Sequence, residues 1–360
     1  MTGCRLCATP ATETFVDLGM AALRDAHVTV DALDTADTIY PLRVRMCPRC
    51  LLVQLPPYAA AGAETPCQPP HGERLADAMV DLLDLGPHSV VVSLPGSDAD
   101  VLAPFAARGV PVAPAAAGPA DLVVGVNAIA RAADLTRFAA GLAARVKPDG
   151  LVALEFPHLL RLVERRQVDR IDHRHHQYLS LLTADQILAG GGLVAVDVEE
   201  ISSYGGSLRV LARHRAAAGE PSTNVKSVLE AEAEAGLHTL DGHRGFAEAA
   251  FAIKRDLIEF LLTARADGRR VVGYGGASSL LDYCGVRADL LAYTVSPGAA
   301  GRFLPGSRIP VHQPDRIARD RPDYVLVLSS APRAEAAARL GHVREWGGRL
   351  VFATPDLAVV

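Results

Sequence analysis

Ser89-Val90-Val91-Val92-Ser93-Leu94-Pro95-Gly96-Ser97-Asp98-Ala99 reads as a short apolar strand running into a turn punctuated by Pro95 and Gly96. Helical spacing precedes it over 73–85, and an Ala-rich helix follows, ending near Arg108-Gly109. The run 120–126, Ala-Asp-Leu-Val-Val-Gly-Val, is a second strand. A helix over about 134–145 stops at Lys147-Pro148-Asp149-Gly150, and a strand over 151–156 comes next. Strands alternating with helices predict a parallel sheet covered on both faces. Farther on, 216–221 is a connection and 246–266 a long helix. Arg270-Val271-Val272-Gly273-Tyr274-Gly275-Gly276 is a strand entering a glycine turn, and 323–328 and 349–353 are further strands of a second α/β unit. Upstream, the segment to about Tyr58 is strand-poor: 40–46 alternates like a half-buried strand, and Leu51-Leu52-Val53-Gln54-Leu55 follows. Residues 56–70, rich in Pro, Ala and Gly, read as a linker. The expected division is 1–68, 69–215 and 216–360, α/β in class.

Composition bounds the function. With 360 residues and 49% hydrophobic content the chain can bury more than one core. A net charge of −5 supplies no global basic field for nucleic acid or an anionic membrane. No apolar run of about 18 residues or more stands in it, so no membrane span is expected. Met1-Thr2-Gly3-Cys4-Arg5 lacks a basic segment leading into an apolar one, and the cytoplasm is the expected compartment.

Four of the six cysteines come in two pairs, Cys4-Arg5-Leu6-Cys7 and Cys47-Pro48-Arg49-Cys50; Cys67 and Cys284 stand alone. Each pair puts two thiolates on one tight turn, and two such turns complete a tetrahedral zinc shell. A small segment with little apolar surface gains folding energy from the metal. All four coordination places are filled, so this zinc is expected to be structural. Redox CxxC chemistry fits less well, because neither pair opens a helix after a strand.

These residues resemble a known pattern. Cys4-x-x-Cys7 with Tyr40-Pro41-Leu42-Arg43-Val44-Arg45-x-Cys47-x-x-Cys50-Leu51-Leu52-Val53-Gln54-Leu55 resembles the N-terminal zinc module of nucleotide-sugar C-methyltransferases of deoxysugar and antibiotic pathways. Val146-Lys147-Pro148-Asp149-Gly150, Asp169-x-Ile171-x-His173-x-His175-x-x-Tyr178-x-Ser180, Gly205-Gly206-Ser207-Leu208-Arg209 and Leu304-Pro305-Gly306-x-x-Ile309-Pro310-Val311 continue the likeness along the chain. The resemblance implies a zinc module, a class I methyltransferase core and a Rossmann-like C-terminal domain that helps grip the sugar nucleotide. It also implies C-methylation of a keto-sugar: a base removes a proton beside the carbonyl and the enolate attacks the methyl of S-adenosylmethionine (SAM). Candidate acid–base residues are His175, Tyr178, His173, Asp172 and His176; Tyr204, Gly205, Ser207, Arg209 and Tyr274 are candidates for holding substrate.

The pocket motifs depart from the family. Its turn, roughly EIGxNDG, is here Ser93-Leu94-Pro95-Gly96-Ser97-Asp98-Ala99, which leaves Gly96 and Asp98 as remnants of a cofactor site. Proline fixes φ and cannot simply replace a permissive glycine. The next strand ends in Val112-Ala113-Pro114-Ala115-Ala116-Ala117-Gly118, without the acid expected on a ribose. The family carries several dozen more residues before the strand at 120, so an element beside the cofactor is expected to be missing. The family stretch DTIYHEHLSYFS reads Asp169-Arg170-Ile171-Asp172-His173-Arg174-His175-His176-Gln177-Tyr178-Leu179-Ser180, and its C-terminal lysine and asparagine loop is cut to Gly276-Ala277-Ser278-Ser279. Three readings follow. One is an enzyme no longer dependent on SAM, using the Asp172–Tyr178 constellation to move protons in a condensation, cyclisation or elimination of a pathway intermediate. Asp172 with its three histidines is alternatively a second metal site. The others are a working methyltransferase with a divergent cofactor site, and a non-catalytic partner protein.

Overall fold

The computed structural model describes residues 3–23, 27–56, 69–98, 100–113, 118–276, 278–328 and 333–360. Cys67, Ala99, residues 114–117 and most of the expected linker lie outside them, as does the side chain of Tyr204.

The first segment holds β1 (Glu13–Ala22), β2 (Ile39–Met46) and β3 (Val53–Gln54) as an antiparallel sheet. It is richer in strand than its sequence suggests. β1 escapes an alternation reading because its register shifts twice, and Gly19 turns through a φ of 74°. This sheet does not stand alone. Phe15 of β1 stacks on Phe246 at 4.8 Å between ring centroids, within a core shared with the C-terminal unit.

The central unit begins with α1 (Pro69–Leu83), four residues before the helical spacing in the sequence. Then come β4 (Val91–Ser93), α2 (Ala103–Ala107), β5 (Val112–Ala113), β6 (Ala120–Val126), α3 (Ala128–Arg131) and α4 (Leu135–Ala143). Asp134 caps α4, its carboxylate accepting from the Arg137 backbone N–H. β7 (Val146–Pro157) takes in Lys147-Pro148-Asp149-Gly150, read from sequence as a stop. The stretch is accommodated as a break in register between Ala120 and Leu122 of the neighbouring strand. After α5 (Leu159–Glu164) come β8 (Gln177–Tyr178), α6 (Leu181–Gly190), β9 (Leu193–Ile201) and β10 (Ser207–His214). Ser180 and Thr183 form a reciprocal cap on α6. The sheet runs β5-β4-β6-β7-β10-β9. Its first four strands are parallel, as expected, and β9 and β10 add an antiparallel hairpin.

α7 (Thr223–Glu234) packs on this central unit. Its Glu232, fully buried, accepts from the backbone N–H groups of Leu181 and Leu182 and pairs with His158 at 2.7 Å. α8 (Gly245–Ala266) leads into the last unit: β11 (Val271–Gly275), α9 (Ser278–Cys284), β12 (Thr294–Val295), β13 (Val311–His312), α10 (Arg316–Asp320), β14 (Tyr324–Leu328), α11 (Arg333–Arg339), β15 (Arg349–Phe352) and β16 (Ala358–Val359). Its sheet, β13-β12-β11-β14-β15-β16, is parallel except for β16. No helix of the described residues is long and apolar enough to cross a membrane.

Candidate functional site

The two CxxC turns meet. Cys4 Sγ lies 3.5 Å from Cys50 Sγ, and Cys7 Sγ lies 3.5 Å from Cys47 and 3.6 Å from Cys50. All four sulfurs fall within 4.8 Å of one another. A tetrahedron with Zn–S bonds of about 2.3 Å has S···S edges of about 3.8 Å, so the shell is of the right size. The Cys50 thiol beside it pulls the Cys4 thiol down to about 4, toward the thiolate that ligates metal. Zinc fits these residues. Among the described residues this is the one cluster of three or more candidate ligands, and Asp172 with its histidines forms none.

The zinc turn is fastened to the 172–178 stretch. Arg5, between Cys4 and Cys7, donates through Nη1 to the carbonyl of His176 at 2.8 Å. β3 pairs with β8, Val53 opposite Tyr178 and Gln54 opposite Gln177. The His/Tyr signature thus supplies the fourth strand of the zinc module's sheet. Gln177 Nε2 donates to the carbonyls of Ile129 and Ala132, tying the same residues to α3.

Within that stretch the structure brings Asp172, His175 and Tyr178 together, whereas His173 turns to Tyr40 and Pro41 of β2 and His176 lies beside Arg5 of the zinc turn. The Tyr178 hydroxyl accepts from the Asp172 N–H and donates to its carbonyl, both at 3.1 Å. Asp172 pairs with Arg174 at 2.8 Å. His173 Nε2 donates to the Pro41 carbonyl at 3.2 Å, against Tyr40. His175 meets Tyr178 edge to face at 6.0 Å. Burial pushes His175 down to about 3, and Arg174, Arg131 and Arg170 add to that against the opposing pull of Asp172. Burial lowers His173 and His176 and raises Tyr178. At neutral pH these three imidazoles are uncharged, so the stretch offers neutral imidazole N–H and lone-pair groups beside one paired carboxylate.

In an open parallel sheet, ligands lie beyond the carboxyl ends of the strands where the strand order reverses. Here that point falls between β4, which leads outward to β5, and β6 on its other side. The loop after β4 and the turn after β6 close on one another there. Asp98 pairs with Arg131 at 2.7 Å and accepts from Asn127 Nδ2 at 3.1 Å. Arg131 Nη1 donates to the Gly96 carbonyl at 3.1 Å. Gly125 is bare because Leu94 and Leu154 fill its place: a Cβ there would lie 2.7 Å from Leu94 Cδ1 and 2.8 Å from Leu154 Cδ2. Next to this, at the end of β7, the buried Glu155 carboxylate holds His71 on one oxygen and Arg209 Nε on the other, the latter at 2.7 Å. Arg209 also reaches Glu199 at 2.6 Å. Arg131, Asn127 and His71 have no sequence signal, because an ion pair between distant segments leaves no local pattern.

Other candidates lie apart. The Gly205 carbonyl accepts from Arg165 and Gln167, and Ser207 Oγ donates to the Ser203 carbonyl. Tyr274 is on β11 of the C-terminal sheet, its hydroxyl 3.5 Å from Arg339 Nη1.

Comparison with known proteins gives the following matches. Residues 202–355 match the family described as the C-methyltransferase C-terminal domain, and residues 4–63 match a zinc-binding domain family. The C-methyltransferase NovU of Streptomyces niveus is 28% identical over 406 aligned positions, covering 99% of this chain and 96% of that protein. That alignment exceeds the chain's 360 residues, so the relative carries several dozen residues without counterpart here. Among solved structures, the 1,6-didemethyltoxoflavin-N1-methyltransferase of Burkholderia thailandensis overlaps 40% of this chain and 78% of its own (14% identity, TM-score 0.31). An O-methyltransferase family protein of the same organism overlaps 42% and 59% (19% identity, TM-score 0.28).

Proposed function

The chain belongs to the C-methyltransferase family that carries an N-terminal zinc module, and from that premise we propose that it acts on a small-molecule intermediate of natural-product biosynthesis by acid–base chemistry that does not use SAM. The observation that carries this reading is the ion pair between Asp98 and Arg131 at the strand-order reversal of the central sheet. A SAM site there needs a permissive turn, an acid for the ribose and a carboxylate free to face a sulfonium. Pro95 stands in the turn, the segment from Val112 to Gly118 holds no acid, and Asp98 is neutralised by a guanidinium. SAM does not fit these residues, and no step is routed through it.

On this reading the zinc is structural and sets the position of β8. His175 is the working group. An imidazole whose pKa lies near 3 stays neutral through the physiological range and can donate a hydrogen bond to a developing enolate without first losing a charge. Asp172, oriented by Arg174, is the acceptor for a proton. Condensation, cyclisation or elimination through an enolate can each use such a donor and acceptor.

Retention of methyl transfer is the second reading. Gly96 favours it: φ stands at 80°, and a Cβ at that position would meet nothing closer than the Arg131 Cβ at 4.0 Å. That is the relaxed turn a cofactor loop would keep. Denaturing mass spectrometry on freshly purified protein, with metal analysis, separates the two. The first reading expects one zinc per chain and no S-adenosyl compound; stoichiometric S-adenosylhomocysteine would sink it.

A further inference from the structure

Residues 114–119 are all that joins β5 to β6, which lie on opposite sides of β4. Parallel strands of one sheet are normally joined by a dozen residues or more that include a helix. Six positions are fewer than that. On the α4 face of the sheet an open groove of about 420 Å³ is left, within the range of roughly 300–1,000 Å³ usual for small-molecule sites. It runs along α4, from Leu94 and Pro95 beside the strand-order reversal to Arg145 at the foot of β6.

Its walls are chemically two-sided. Pro95, Ala133 and Phe138 give an apolar surface over the buried Leu94 and Leu142, and Arg137 and Arg145 bring two guanidinium groups. The one acid on the rim, Asp134, is committed to capping α4. Arg145 lies along the helix, Nη1 donating to the Gly141 carbonyl at 2.6 Å, while its buried Nε has no hydrogen-bond partner. Position 141 makes room for it: a Cβ there would come 2.8 Å from that Nη1. A buried N–H without an acceptor costs free energy, which a ligand oxygen recovers once the Arg145 side chain turns toward the groove.

We propose that this groove binds an amphipathic anion, a flat or extended apolar molecule carrying one carboxylate or phosphate. The guanidinium groups of Arg137 and Arg145 take the acidic group, and the apolar body lies against Pro95 and Phe138. Charge complementarity selects this occupant over a neutral one.

Calorimetric titration of the full-length, zinc-loaded protein with 2-naphthoate and with neutral 2-naphthamide tests it. The acid is expected to bind saturably, at least about tenfold tighter than the amide. Arg137→Gln, on an exposed position, is expected to remove most of that difference. Gly141→Ala, which favours the helix yet displaces the Arg145 guanidinium, should do the same while the melting temperature holds or rises. Excess SAM is expected not to displace the acid, so the groove and the SAM question are decided separately. Equal affinities for acid and amide, no binding of either at millimolar concentration, or binding indifferent to both substitutions would overturn the proposal. So would a dimer in sedimentation that Phe138→Asp dissociates, since the groove would then be filled by a second copy.

Discussion

Arg131 and Asp98 face each other with side chains 11% and 0% exposed. Removing one partner of such a pair strands a buried charge, so Arg131→Ala is expected to cost about 3–5 kcal/mol in urea denaturation. The double change Asp98→Asn, Arg131→Ala should recover much of that. His175 gives a pH signature. Its folded pKa lies below that of an unfolded histidine, so below about pH 6.5 the unfolded chain takes up a proton that the folded chain refuses. Its contribution is therefore present above that pH and is lost as pH falls toward about 3. His175→Asn is expected to flatten this acid limb, measured as unfolding free energy at pH 7 and pH 5; an unchanged slope contradicts the assignment. The opposite sign holds at Asp282 in α9, which accepts from the Ala22 N–H and is raised to about 6 by burial. Its stabilising protonated form is lost as pH rises through 6, so Asp282→Asn should raise the melting temperature at pH 8 more than at pH 4.

At the scale of elements, β6 depends on a missing side chain. Gly125→Ala would push a methyl into Leu94 and Leu154, and is expected to cost about 1–3 kcal/mol. A stability within about 0.5 kcal/mol of the parent would show that the strand end is looser than these contacts imply. Elements with a strong local signal were legible in sequence. The apolar run of β6 and the long amphipathic α8 stand within a residue of their expected bounds. β1 was not, because its bulges break the alternation. β8 was not, because two residues carry no period, and only pairing with β3 makes them a strand. The zinc shell was legible because CxxC spacing is itself the geometry of two thiolates on one turn. The Asp98–Arg131 and Glu155–Arg209 pairs were not, because charge pairing across distant segments is decided by the tertiary fold.

For the whole molecule, the zinc turn, the 172–178 stretch and α3 form one continuous body through Arg5, β3, β8 and Gln177. Zinc is therefore coupled to the candidate site although it touches no substrate. Stripping it with a chelator, or replacing Cys47 by Ser, is expected to raise amide exchange over 172–180 as well as over 40–55, while β14 and β15 of the C-terminal sheet keep their protection. Exchange confined to the cysteine turns would contradict that coupling. On the proposed function, the fold keeps its sheet and its zinc-fastened seam while the Asp98–Arg131 pair occupies the cofactor end. Calorimetric titration of the zinc-loaded protein with SAM tests this most directly. The account predicts no saturable heat up to about 1 mM SAM, against the micromolar range usual for an enzyme's own small ligand; saturable micromolar binding at one site per chain would contradict it.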